Sequence, residues 1–209
     1  MHPGQESQEQ ALAQGVAPAA ARQRARSEAP VLELPRDALV VLCGPAGSGK
    51  SHFAQKHFLP SQVVSSDECR RMITDDPGDQ SCSGDAFKLL YHIIDKRLKY
   101  GRLTVADTTA ISRDIRRELL KLGRKHGRPV ILVAFRTPRE LCHKRDMQRE
   151  RKVGWEVIQS QAERFERALA DVNREGFDRV YWVEPEEQNT IRVQVREGGR
   201  GEHPARRPG

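Results

Sequence analysis

Leu39-Val40-Val41-Leu42-Cys43-Gly44-Pro45-Ala46-Gly47-Ser48-Gly49-Lys50-Ser51-His52 is the stretch from which the rest of this 209-residue chain is read. An apolar run over 38–42 leads into Gly44 through Ser51, a full match to G-x-x-x-x-G-K-[ST], and a helix-compatible stretch over 51–58 follows. Glycines let the backbone fold tightly enough to point several N–H groups at one anion, and the following helix adds its positive N-terminal end. Gly44, Pro45, Ala46, Gly47, Ser48, Gly49, Lys50 and Ser51 are therefore expected to hold a nucleoside triphosphate. Lys50 would reach the β- and γ-phosphates, and the Ser51 hydroxyl would sit on Mg²⁺. A plain Gly-rich turn before a helix is the competing reading, and the strand–loop–helix context argues against it.

Working outward, strands and helices alternate. The spacing predicts strands over 38–42, 62–66, 103–106, 130–135 and 177–183, with a short extra one over 190–195. Helices are predicted over 50–58, 83–100, 112–126 and 155–174, and a helical region starts over 139–149. The helix over 83–100 places Ala86, Phe87, Leu90, Ile93, Ile94 and Leu98 at helical spacing, with Ser83 as its N-cap. The run over 130–135 is continuously apolar, as a parallel strand covered on both faces requires. The expected fold class is α/β: a P-loop NTPase with a parallel sheet of about five strands, helices on both faces and a helical lid. Ligands in such sheets bind outside the C-terminal strand ends. The first three predicted strands lead to Gly44, Asp67 and Asp107, which should therefore line one crevice.

Asp67 and Arg70 lie in Ser65-Ser66-Asp67-Glu68-Cys69-Arg70. A carboxylate facing the phosphate loop can accept the proton of an attacking hydroxyl, and an arginine three residues on can hold an anionic group of the acceptor bidentately. Helix capping by Asp67 is the bland alternative. Asp107 is the second carboxylate, able to orient Mg²⁺ through water. Spacing does not decide which of the two serves the metal; Asp67 goes to the acceptor because Arg70 accompanies it. Arg145 and Arg149, four apart, would share one helix side and neutralise charge on the transferring group as a lid closes, with Arg151 able to join them. A solvated basic helix is the alternative there. Asp79-Gln80 and 83–87 could form one wall of an acceptor pocket. Trp155 and Trp182 read as packing residues.

Composition sets the outer bounds. The chain carries a net +7, while residues 113–152 alone hold 14 Lys/Arg against 5 Asp/Glu. The basic charge is thus concentrated where an anionic substrate could be steered, or on a solvated helix face. Cys43, Cys69, Cys82 and Cys142 show no metal-like spacing and read as free thiols of a reducing compartment. With no signal pattern and no apolar run of membrane-spanning length, a soluble cytoplasmic protein is expected. Residues 1–30 and 197–209 lack apolar periodicity and read as a disordered arm and tail around a kinase-sized domain over 31–196.

Taken in order, Gly44 to Ser51, Ser65-Ser66-Asp67-x-x-Arg70, Asp79-Gln80 with Ala86-Phe87, Arg97-Leu98 with Gly101, Thr104-Val105-x-Asp107 and Arg145-x-x-x-Arg149 resemble the 5′-kinase module of bacterial polynucleotide kinase–phosphatase–ligase repair enzymes. The chain is more broadly similar to P-loop kinases with an adenylate-kinase-like sheet and lid. The resemblance runs from about residue 39 to 183. It implies transfer of the ATP γ-phosphate to a 5′-hydroxyl of RNA or DNA, with Lys50 and Ser51 on phosphates and Mg²⁺, and Asp67 as general base. It further implies Arg70 on the acceptor strand's phosphate, and Arg145 and Arg149 as lid arginines. Two departures stand out. The family's Asp-Ala-Thr-Asn reads Asp107-Thr108-Thr109-Ala110, and only Glu150 separates Arg149 from Arg151 in a compressed lid. The remaining readings are a P-loop kinase of a small metabolite or antibiotic, and an ATP-dependent switch or binding module. The chain has no Asn-Lys-x-Asp guanine motif, which argues against a GTPase.

Overall fold

The computed structural model describes residues 29–196, so the arm and tail expected over 1–30 and 197–209 lie outside the described residues except for 29 and 30. Strand β1 (Val31–Pro35) precedes β2 (Leu39–Cys43) and helix α1 (Lys50–His57). Then come β3 (Val63–Ser65), α2 (Ser66–Thr74), α3 (Ser83–Lys99), β4 (Thr104–Asp107) and α4 (Arg113–Lys125). The chain continues through β5 (Val130–Phe135), α5 (Arg139–Asp146), α6 (Trp155–Leu169), β6 (Arg179–Val183) and β7 (Arg192–Arg196).

Five strands form a wholly parallel sheet in the order β3-β4-β2-β5-β6. β2 lies at its centre, at the point where successive crossovers change direction, which is where such sheets bind ligands. β2, β4 and β5 are buried along their full length, so their apolar runs serve two faces at once. Alternate residues take opposite sides. Leu39, Val41 and Cys43 pack with Leu90, Ile94 and Leu98 of α3, Leu119 of α4 and Phe165 of α6. Val40 and Leu42 pack with Phe53 and Phe58 near α1 and with Leu32 and Leu34 of β1. Each fully buried Leu or Phe contributes about 1.5–3 kcal/mol.

The chemistry of several boundaries differs from the sequence reading. The N-terminal strand β1 went unread; it pairs in parallel with β7, making a two-stranded ribbon over the α1 face of the sheet. The strand over 62–66 is shorter, because Ser65 turns out to be an N-cap whose hydroxyl accepts from the N–H groups of Asp67 (3.2 Å) and Glu68 (3.5 Å). Asp67 therefore lies in the first turn of α2, and Ser65 rather than Asp67 does the capping. Cys82, not Ser83, is the N-cap of α3. The helical region over 139–149 stops at Asp146, which places Arg149 in the bend beyond it. The helix over 155–174 breaks after Leu169 into a separate 3-10 turn, Val172–Arg174, that puts Val172 in the core.

That break has a partner. Glu175, just past the 3-10 turn, forms a bidentate ion pair with Arg116 of α4 (2.6 and 2.7 Å), both side chains being sealed from solvent. Arg116 also donates to the carbonyls of Ala110 and Ile111 (2.8 and 2.7 Å). Ala110 sits at φ 44°, a left-handed conformation that costs a non-glycine residue about 1–2 kcal/mol. Arg116 holds that loop in place where the resembling family carries an asparagine.

Candidate functional site

The site begins where β2 ends. Gly47 (φ 76°) and Gly49 (φ 105°) take left-handed conformations, and a side chain on Gly47 would strike the backbone of Cys142 in α5. Three donors converge on one carbonyl behind the loop: Thr137 Oγ1 (2.9 Å), Gln188 Nε2 (3.0 Å) and Arg145 Nη1 (3.3 Å) all reach Ser48 O. Because C=O and N–H point opposite ways across a trans peptide, pinning Ser48 O rearward aims the Gly49 N–H at the cradle. In front, the Gly44 N–H donates to Thr109 O of the β4–α4 loop (3.0 Å), and Gln161 of α6 accepts from the Ala46 N–H (2.8 Å).

Lys50 opens α1 and folds back over the loop, donating to Pro45 O (2.8 Å) and Ser48 Oγ (3.3 Å). Burial pushes its pKa below the usual lysine range, and the attraction of Asp107 opposes that fall. Asp107, at the end of β4, is buried beside Ser51, from which it accepts a hydrogen bond. Its carboxyl is pushed above the ordinary range chiefly by burial, with Lys50, the Ser51 hydrogen bond and Arg149 pulling it down and Asp67 pushing it up. Arg149 is thus near enough to act electrostatically on both Lys50 and Asp107, and Asp67 near enough to act on Asp107. In the sheet register Ser65 lies opposite Asp107, which sets Asp67 two residues beyond it.

Asp67 has 62% of its side chain exposed, while Arg70, its ion-pair partner, is 9% exposed. Arg70 is also tied to Pro77 O (2.9 Å), so a fixed guanidinium presents a carboxylate at the crevice mouth. The lid arginines separate in role. Arg145 lies behind the loop, on Ser48 O and on Gln188 Oε1 (3.0 Å), rather than sharing a helix face with Arg149. Arg149 reaches the crevice from the bend, where it acts electrostatically on Lys50 and Asp107. Asp146, fully buried, accepts from the N–H groups of Val153 and Gly154 (all 3.0 Å), cinching 147–154 into a short loop. Arg151 crosses from that loop to Gly78 O (3.1 Å), ahead of α3. Asp79 turns back on Ser81 and is half-buried.

Thr137, Gln161, Gln188 and Arg116 were not read from the sequence as site residues. Nothing in their spacing separates them from ordinary polar surface; their contacts span 51 to 140 residues of chain. Of the tryptophans, Trp182 packs on the core beneath Arg136, whose guanidinium lies 4.1 Å from the ring, and Trp155 is 38% exposed beside His143. The four cysteines are free thiols, and among the described residues no helix is long and apolar enough to cross a membrane.

The residues present fit a magnesium-bound triphosphate. The cradle supplies backbone N–H groups at a helix start, Lys50 supplies a cation whose bonds to Pro45 and Ser48 phosphate oxygens can replace, and Ser51 with Asp107 offers the hard oxygen donors Mg²⁺ takes.

A family model described as AAA domain matches residues 39–168. A comparison with curated proteins returns no match. Among solved structures, the chain is similar to a component of the Pnkp1/Rnl/Hen1 RNA repair complex, at 19% identity and TM-score 0.56 over 67% of this chain and 47% of that one. The chain thus spans about half the length of that relative. It is also similar to a chain of the PezAT toxin–antitoxin system of Streptococcus pneumoniae, at 14% identity and TM-score 0.54 over 80% and 76%. The APS kinase CysC of Mycobacterium tuberculosis, solved with AMPPNP and APS, matches at 17% identity and TM-score 0.47 over 73% and 90%. The fold is that of the P-loop kinases: a five-stranded parallel sheet with helices on both faces.

Proposed function

The chain belongs to the AAA domain family, and from that premise we propose that it is an ATP-dependent kinase that moves the γ-phosphate to the 5′-hydroxyl of RNA or DNA. The observation that carries this is the pairing of an exposed carboxylate, Asp67, with a buried arginine, Arg70, near enough to Asp107 for Asp67 to act on it electrostatically. In this reading the loop N–H groups and Lys50 hold the β- and γ-phosphates. Asp67 takes the proton of the acceptor hydroxyl as its oxygen bonds to the γ-phosphorus, and the bond to the ADP oxygen breaks. Arg70 holds the first acceptor phosphate. Arg149 neutralises charge on the transferring group, and Arg145 holds the loop's shape from behind. Mg²⁺, on Ser51 and near Asp107, would supply charge neutralisation between the phosphates.

The test is transfer of γ-³²P from ATP, offering 5′-hydroxyl oligonucleotides beside small hydroxylated metabolites. Asp67→Ala is expected to lose about 10²- to 10⁴-fold in transfer while ATP binding persists. Retained activity in that variant, with loss in Asp107→Ala, would reverse the two carboxylate roles. Labelling of metabolites alone would favour the second reading, a P-loop kinase of a small acceptor.

A further inference from the structure

The basic excess over residues 113–152 divides in the fold. The lid part, with Arg145 behind the phosphate loop and Arg149 acting on Lys50 and Asp107, belongs to the phosphate site. The α4 part does not. Along α4, Arg113, Arg117, Lys121 and Arg124 recur on its exposed side, opposite the buried Leu119 and Gly123. Arg113, Arg117 and Arg174 have no ion-pair partner among the described residues, whereas Lys121 is taken by Glu118. These side chains line a cleft of about 730 Å³ between α4 and the turn that follows α6. A second cleft of about 520 Å³ adjoins it, with Arg113, Arg164 and Arg167 on its walls. The acidic neighbours of the two clefts are Asp114, Asp171, Glu118, which pairs with Lys121, and Glu175, which is already neutralised by Arg116.

Both walls start at the phosphate loop. α4 follows the loop whose Thr109 carbonyl accepts from Gly44, and α6 touches Ala46 through Gln161, less than one turn before Arg164. The groove therefore leads away from the crevice rim. From Arg113 to Arg124 it follows α4 for about 17 Å at 1.5 Å per residue, room for several successive phosphates of one strand. None of the exposed large apolar residues lines it, which disfavours a membrane, and it carries no aromatic ring to read a base. Cations without aromatics suit phosphates in any sequence.

We infer that the groove between α4 and the end of α6 is the path of a single nucleic-acid strand whose 5′ end lies in the crevice. This rests on the polynucleotide reading of the acceptor. The groove holds the strand's downstream phosphates, so affinity grows with acceptor length without base preference.

The test uses the full chain and its triple variant Arg117→Glu/Lys121→Glu/Arg174→Glu, with a 5′-hydroxyl 12-mer and a 5′-hydroxyl dinucleotide as acceptors. The native chain should prefer the 12-mer. The variant should lose about 30-fold or more in kcat/KM on the 12-mer, and its log–log salt slope should fall by about 2, as expected for three lost single-strand contacts. Its dinucleotide kcat/KM and KM for ATP should be unchanged, which also shows that it folds. Equal use of both acceptors by the native chain, or an unchanged 12-mer slope in the variant, overturns the inference. Binding of phosphatidylserine vesicles in place of the 12-mer, abolished in the variant, overturns it in favour of a membrane surface. Fluorescence anisotropy of a labelled 12-mer separates the two levels. If neither acceptor is phosphorylated but the native chain alone binds the 12-mer, the groove stands and the acceptor reading falls; if neither form binds it, both fall.

Discussion

Removing Arg116 should destabilise the domain more than any change at the catalytic mouth. Its guanidinium makes four hydrogen bonds, two to the Glu175 carboxylate and two to the carbonyls of Ala110 and Ile111. Both partners of the ion pair are almost wholly buried, at 1% and 4% exposure. In Arg116→Met the Glu175 charge is stranded in the interior, at a cost of about 3–5 kcal/mol. Domain stabilities are only about 5–15 kcal/mol, so the melting temperature should fall by about 6–20 °C, at about 2–4 °C per kcal/mol for a body this size. In Arg116→Met/Glu175→Leu the stranded charge is gone; the Ile111 carbonyl is left without its donor, for about 1–3 kcal/mol, a cost the single variant bears as well, while the Ala110 carbonyl still accepts from the Cys43 thiol (3.2 Å). The double variant should therefore be the more stable of the two in urea titrations. It should nonetheless stay slow in phosphate transfer, because Ala110 keeps only the Cys43 thiol on its carbonyl and the Thr108 hydroxyl on its N–H to hold its left-handed conformation. An Arg116→Met midpoint within about 0.5 kcal/mol of the parent would refute the reasoning. So would a double variant no more stable than the single one.

Three further outcomes follow from other parts of the molecule. In Asp146→Ala the 147–154 loop loses the carboxylate that accepts from Val153 and Gly154; limited proteolysis there should accelerate at least several-fold and KM for ATP should rise, and an unchanged cleavage rate would count against the cinch. Burial pushes the thiols of Cys43 and Cys142 up to about 12 and about 11 and that of Cys69 upward too, so iodoacetamide at pH 8 should alkylate one thiol, Cys82, before the others, with mass spectrometry of the folded protein as the readout. Hydrogen bonds from Lys125 and His126 hold the Asp95 carboxyl well below the usual range. A depressed folded value stabilises above the unfolded one and is lost as pH falls through the folded one, so Asp95→Asn should be less stable at pH 7, and its gap from the parent in urea midpoint should close below about pH 4.

What could be read from the sequence was local. β5 runs over the residues its apolar run marked, and the phosphate loop, α1 and α3 lie within a residue or two of where period and glycines put them. β1 was missed because Val31-Leu32-Glu33-Leu34-Pro35 is short and ends in proline, and its partner, β7, lies at the other end of the body. A short helix stepping from Asp67 to Arg70 could be read, but not its cap, because Ser65 serves as both strand end and cap. Arg149 was expected to share a helix face with Arg145, but that helix stops at Asp146 and Arg149 lies in the bend beyond it. Arg145, Gln188 and Thr137 act on a backbone carbonyl far away in sequence, and no periodicity carries that kind of contact.

The β1–β7 ribbon bears on how the chain is made. Val31 pairs with Arg192 and Pro35 with Arg196, so a strand from the beginning of the body waits for one from its end. Until β7 leaves the ribosome, the ribbon cannot form, and Val40, Leu42 and Val133 are left with α1 alone to shield their side of the sheet. Long-range pairing of this kind is slow, and bare sheet faces are prone to stick to one another. The phosphate loop and its crevice can take shape during synthesis, but the domain is sealed only after translation has passed residue 196. A chain stalled or truncated before Arg192 should therefore be a client for chaperones even with every catalytic residue already present.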